Sequence, residues 1–215
     1  MIAAPVLEHA GRARVVANGY AETDGGFVVA LGAPRMPNGM SATAPLGAMV
    51  ELRGEPVWDP KPVVRARPPL PGDPRVDPFA AALVARDAGA ARAEAERLIG
   101  LGPGLTPEGD DLVAGALAIS AVLYGELPGV LPGDLRERTT RLSATLLELA
   151  ARGAVMEPVH GLLGPRWEAA LRRLLRVGHS TGRAYAGAVG AVMRCSSPAP
   201  DPPGRHRRAA VGRGS

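Results

Sequence analysis

Two periodicities divide the chain. From Arg12 to about Val64 the apolar residues come in short β-rich runs, Val15-Val16, Phe27-Val28-Val29-Ala30-Leu31 and Ala48-Met49-Val50-Glu51-Leu52. Turn chemistry separates them at Asp24-Gly25-Gly26, Pro37-Asn38-Gly39 and Leu46-Gly47. Apolar runs bounded by such residues predict strands. Their number predicts a small antiparallel sheet or barrel of about five strands, closure being one way to remove exposed edges. From Val57 to Pro78 prolines recur at short intervals, the pattern of an extended, semi-rigid connector.

Beyond Asp77 the apolar period becomes about 3.6, which predicts helices. The first runs over about 78–99, with Asp77 as N-cap and Pro78 at the first helical position. The second covers about 107–124, and the third about 134–151, capped by Asp134 and stopped at Gly153, with Leu142, Leu146 and Leu149 at helical spacing. A short segment at 157–175 precedes the last helix, about 181–194. The fold class expected is α+β: a small β-rich, barrel-like N-terminal lobe (1–64), a Pro-rich connector (65–77), an α-helical C-terminal lobe (78–195) and a disordered basic tail (196–215).

Composition sharpens this picture. The chain is 46% hydrophobic but only 3% aromatic, so Ala, Val and Leu must fill the interior, which favours closely packed helices with small contact residues. The net charge of +4 sits mostly in residues 196–215, where Arg205, Arg207, Arg208 and Arg213 face only Asp201. The body is close to neutral, and without a basic stripe interleaved with aromatics no specific nucleic-acid partner is expected. Cys195 is the sole cysteine, which excludes an intramolecular disulfide framework and a Cys-type zinc site. No apolar run reaches the roughly 18 residues of a membrane span and no leader pattern opens the chain, so a cytoplasmic protein with no membrane partner is expected. Lys61, the single lysine, lies between Pro60 and Pro62 in the connector, which argues against Schiff-base chemistry.

The densest local signal is Gly100-Leu101-Gly102-Pro103-Gly104-Leu105-Thr106-Pro107-Glu108-Gly109-Asp110-Asp111. Thr106 is expected to cap a helix whose first position is Pro107, while Gly102 and Gly104 let the backbone approach a ligand. Free N–H groups and the helix dipole would then suit a phosphate or carboxylate. Acids in a first helical turn are ordinarily dipole partners. The run Leu112-Val113-Ala114-Gly115-Ala116-Leu117-Ala118-Ile119 is apolar nearly all round, however, so a carboxylate at its mouth should be paired or useful. Asp110 and Asp111 point about 100° apart, and one of them is expected to face the pocket.

A second glycine-flanked helix start lies at Gly178-His179-Ser180-Thr181-Gly182-Arg183. Ser180 or Thr181 is its N-cap, and His179 is the better histidine candidate for acid–base or ligand-orienting work, beside the plain reading of a histidine bonded at a helix end. Glu157 and His160 alone are too few to specify a metal.

In order along the chain, Gly100 to Asp111, Thr139-Thr140-Arg141-Leu142-Ser143 leading to Ala150-Ala151-Arg152-Gly153, Glu157-Pro158-Val159 and Gly178 to Gly182 resemble the family of the oxamate carbamoyltransferase subunit AllH. The resemblance covers about 95–195 and extends faintly to Pro37-Asn38-Gly39. It implies a subunit that acts with AllF- and AllG-like subunits, in purine and allantoin catabolism, to exchange a carbamoyl group between oxalurate and phosphate, giving oxamate and carbamoyl phosphate. It also implies that Gly102, Gly104, Thr106, Asp110 and Asp111 lie at the ligand site with His179 and Ser180 nearby. Glu108 departs from the small residue expected at its position, and needs a divalent metal or an arginine such as Arg183 to offset it beside a small anionic substrate. The expected site is therefore catalytic Asp110, Asp111 and His179, with Gly102, Gly104, Thr106, Ser180, Thr181 and Arg183 binding substrate. No cofactor is specified, and a divalent metal stays open. The rival readings are a non-catalytic anion- or metabolite-binding or assembly subunit, and a carboxylase or other acyl transferase.

Overall fold

The computed structural model describes residue 9 and residues 11–33, 35–52 and 59–196; most of the expected basic tail, 197–215, lies outside these described residues. Five strands open the chain: β1 (Gly11–Ala17), β2 (Tyr20–Thr23), β3 (Val28–Leu31), β4 (Gly39–Met40) and β5 (Met49–Leu52). Their order is β4-β3-β2-β1-β5, a curled half-barrel. Every pairing is antiparallel except β3 with β4, where Ala30 and Leu31 run parallel to Gly39 and Met40. The short return between those two strands carries Asn38 back beneath β3, where it is fully buried and donates from Nδ2 to Val28 O at 2.9 Å.

Eight helices follow among the described residues: α1 (Asp77–Val84), α2 (Ala88–Leu98), α3 (Glu108–Tyr124), α4 (Leu135–Arg138), α5 (Arg141–Ala151), α6 (Glu157–Leu162), α7 (Trp167–Leu174) and α8 (Thr181–Cys195). Two helices expected to be continuous, over about 78–99 and about 134–151, are therefore each broken in two. The first bends at Arg86, which adopts φ 60° and donates from its guanidinium to Gly125 O and Glu126 O, 2.7 Å each, at the end of α3. Asp87 then starts α2 by accepting from Ala90 N–H at 2.9 Å. The N-cap of α1 is Val76 rather than Asp77, which is already helical. Thr140 caps α5, accepting from Ser143 N–H at 3.1 Å, and so separates it from α4.

The main core is built around α3, whose residues from Gly109 to Ser120 are all buried. Its principal partner is α8, and the small residues there permit a close crossing. A Cβ added at Gly115 would sit 2.8 Å from Ala188 Cβ. Fully buried Leu117, Ile119, Leu147, Leu162 and Leu174 fill the space between helices, each contributing about 1.5–3 kcal/mol on burial. No helix among the described residues is long and apolar enough to cross a membrane.

The half-barrel docks on α5. Thr145, fully buried, accepts from Val28 N–H at 3.1 Å, Leu142 and Leu146 pack against Val28, and Leu149 joins the core of the sheet. Arg136 donates to Gly26 O at 2.6 Å and Arg141 pairs with Glu22, so charged contacts close the rim of the same interface. The extended stretch from 59 to 76 is stitched to the helices rather than spanning open space. Arg65 and Ala66 N–H groups donate to Leu163 O, Val155 N–H donates to Pro60 O, and Asp73 N–H donates to Gly187 O.

Candidate functional site

The glycine-rich stretch forms an exposed loop between α2 and α3, and its shape comes from the backbone. Gly100, Gly102 and Gly104 all have positive φ, at 84°, 112° and 100°, a region that L side chains rarely adopt. Thr106 does not cap α3. Pro107 is the N-cap without a side-chain bond, Leu101 O accepts from Gly109 N–H, and Pro107 O accepts from Asp110 and Asp111 N–H. Of the first-turn donors, Glu108 N–H alone is left without an acceptor among the described residues. This is a much smaller anion cradle than the sequence pattern suggests, because the loop folds back and uses the helix's own donors.

The two aspartates diverge as adjacent helical residues must. Asp110 turns toward the loop, where its Oδ1 accepts from Gly100 N–H at 2.6 Å and its Oδ2 accepts from the Thr139 hydroxyl at the end of α4. Asp111 turns the other way, into a cavity of about 420 Å³ between the half-barrel and the helices. The β side supplies Asn18, Tyr20, Leu31, Met36 and Asn38 to that cavity; the helical side supplies Thr106, Leu142, Leu146, Met156, Val177 and Thr181.

Asp111 is 2% exposed, and its Oδ2 has no hydrogen-bond partner among the described residues. Burial pushes its carboxyl up to about 7; the Thr181 hydroxyl opposes that rise, while the charges of Asp110 and Glu108 add to it. Thr106 Oγ1 lies 3.4 Å from Thr181 Oγ1, so the two hydroxyls from the separate glycine-flanked helix starts meet beside this carboxyl. Gly178 makes room for that meeting: a Cβ there would approach Thr181 Oγ1 to 2.9 Å, and its φ is 59°.

Thr106, Asp111 and Thr181 are thus brought together. Gly102 and Gly104 instead line a shallow outer groove with Thr139 and Thr140, on the other side of the loop. His179 is exposed on the turn before α8 and does not line the central cavity. Ser180 occupies the N-cap of α8 without a side-chain capping bond. Arg183 is exposed and lines a separate groove beside Asp73 and Gly187.

Glu108, the unexpected third acid, is neutralised mainly from the connector. Arg75 grips it with both terminal nitrogens, at 3.1 and 3.0 Å, while also holding Asp73. Those bonds hold the Glu108 carboxyl below its ordinary range, with a smaller contribution from Arg183. The sequence pattern gave no reason to pair Arg75 with position 108. It also marked Asn38 only as a turn residue, although this side chain lies in the cavity wall with Oδ1 unpartnered. Among the described residues no group of three or more His, Cys, Asp or Glu side chains gathers to hold a metal ion.

No solved structure matches this chain. The segment from the end of α2 to near the end of α8 carries the glycine-rich loop, both aspartates, Thr139 and the Gly178–Thr181 turn. Those residues, 98–193, match the family model described as oxamate carbamoyltransferase subunit AllH, the family that the motifs resemble.

Proposed function

We propose that the chain is a subunit of a cytoplasmic carbamoyltransferase-type enzyme acting on a small ureido or amide acid, of the oxamate or oxalurate kind, with carbamoyl phosphate. The cavity between half-barrel and helices is its acid-binding site. The observation that carries this reading is Asp111, a buried carboxyl in the wall of that cavity with one oxygen unpartnered, its pKa pushed up to about 7 by burial. A carboxyl in that range can exchange a proton at working pH. As the amide nitrogen attacks the carbamoyl carbon, the C–N bond forms and the bond from that carbon to the phosphate oxygen breaks. Phosphate leaves with the electron pair, and Asp111 takes the proton from nitrogen. The hydroxyls of Thr106 and Thr181 orient the amide against Asp111.

The residues lining the cavity include no Lys, Arg or His, so the phosphate is held outside it. AllF- and AllG-like subunits of a hetero-oligomer would supply that part of the site, and the exposed His179 and Arg183 are this chain's own candidates for meeting the phosphate. The same cation-free lining favours, as a second reading, a non-catalytic metabolite-binding subunit.

Carbamoyl-phosphate-dependent turnover of oxamate by the complex reconstituted with its partner subunits separates the two. Asp111→Asn should lower turnover about 100-fold or more if Asp111 moves the proton. Wild-type turnover from that variant would overturn the catalytic reading and leave the binding one.

A further inference from the structure

Asn38 and Asp111 line the same cavity, and each carries a buried side-chain oxygen, Oδ1 and Oδ2, without a hydrogen-bond partner among the described residues. Each unpaired acceptor costs about 1–3 kcal/mol in a folded protein, so a ligand that donates to both gains what the free protein forgoes. The other walls are largely apolar, with Leu31, Met36, Leu142, Leu146, Met156 and Val177. A carboxylate or phosphate placed here would set its oxygens against two acceptors, with no cationic side chain among the lining residues to offset it.

We infer that the cavity recognises its ligand by a neutral N–H-donating end, a carboxamide or ureido group whose hydrogens go to Asn38 Oδ1 and Asp111 Oδ2. The inference assigns Asn38 as the specificity-determining residue contributed by the half-barrel. It rests on the preceding reading of the cavity as the substrate site, and narrows it to the end of the substrate that enters.

The acceptor character of Asn38 is fixed by its surroundings. Its Nδ2 is committed to Val28 O at 2.9 Å, so the amide cannot turn over to donate into the cavity. Val28 is itself tied to Thr145, so the free oxygen is anchored through β3 to α5. On the helical side, Thr106 Oγ1 can turn its proton from Thr181 to the carbonyl oxygen of a bound amide. An ammonium group would also donate, but it would bury a full charge among largely apolar walls, a desolvation cost that attraction to one carboxyl does not repay.

The test uses the full chain with methyl-labelled side chains and three probes of similar shape: isobutyramide, isobutyrate and isobutylamine. They are titrated by NMR at about pH 8, where a carboxyl with a pKa near 7 is mostly ionised and cannot donate. Isobutyramide should shift the methyls of Leu142, Leu146, Met156 and Val177, with a Kd about 10-fold or more below those of the other two probes. Asn38→Ala and the near-isosteric Asp111→Leu should each reduce that preference to about threefold or less. Should Asn38→Ala fail to fold, Asp111→Leu carries the test alone, because it replaces a buried polar group with an apolar one of similar volume. Equal or tighter binding of isobutyrate or isobutylamine would overturn the inference. So would amide preference retained in Asp111→Leu, or no shift at these methyls. Turnover in the reconstituted complex is a separate readout: lost amide preference with turnover intact removes this inference alone, and amide preference without turnover removes only the preceding reading.

Discussion

Adjacent residues with the same side chain have opposite roles here. Asp110 holds Gly100 N–H and the Thr139 hydroxyl, so Asp110→Ala leaves two half-buried donors unpaired and should cost about 1–3 kcal/mol in urea unfolding. Asp111 carries a cost instead. Its folded-state pKa of about 7 lies above the ordinary 3.8, so the stability linked to its proton is full below about pH 4 and is lost as pH rises through 7. Asp111→Asn escapes that loss, and its stability advantage over wild type should grow between about pH 4 and pH 8 to a few kcal/mol, then level off. Denaturant titrations of both variants at several pH values check the pair; a stability loss in Asp111→Asn that does not depend on pH would contradict this assignment. The divergence of the two carboxyls was legible from helical geometry alone. Which one faces the cavity was not, because that depends on where the loop returns, and the loop's return is set by Leu101 O capping Gly109 N–H. Asn38 was hidden for a similar reason: Pro-Asn-Gly reads as a turn, and only the parallel return beneath β3 buries its side chain.

Among elements, the pairing of α3 with α8 sets the site, since it brings Asp111 at the start of one to Thr181 at the start of the other. Small residues at the crossing make that approach possible. Gly115→Ala should cost about 1–3 kcal/mol by forcing a Cβ to within 2.8 Å of Ala188, and Ala188→Gly should recover part of the loss in the double variant, as a double-mutant cycle would show. Simple additivity of the two losses would place the strain elsewhere. Small interhelical contacts were foreseeable from an interior rich in Ala and Val but poor in aromatics. The helix breaks were less so. Asp87 and Thr140 carry ordinary N-cap chemistry, yet each lies inside an unbroken apolar period, and the bend at Arg86 follows from contacts with the distant end of α3.

At the scale of the whole molecule, the cavity exists only because the half-barrel sits on α5. Thr145 bonds Val28 but is not part of the cavity wall, so Thr145→Val should loosen the docking by about 1–2 kcal/mol and weaken isobutyramide binding through the displaced Asn38. Unchanged affinity in a destabilised variant would show that the sheet's position does not govern the site. The family match begins at the end of α2 and so excludes α1 and the half-barrel, leaving the helical wall of the cavity largely within it and Asn38 outside.

The most direct measurement is the position of oxamate in a co-crystal of the full chain. Oxamate is expected between the half-barrel and α5, its amide nitrogen about 3 Å from Asp111 Oδ2 or Asn38 Oδ1. Oxamate bound instead in the outer groove of Gly102, Gly104, Thr139 and Thr140, with the cavity at Asp111 free of it, would contradict this placement.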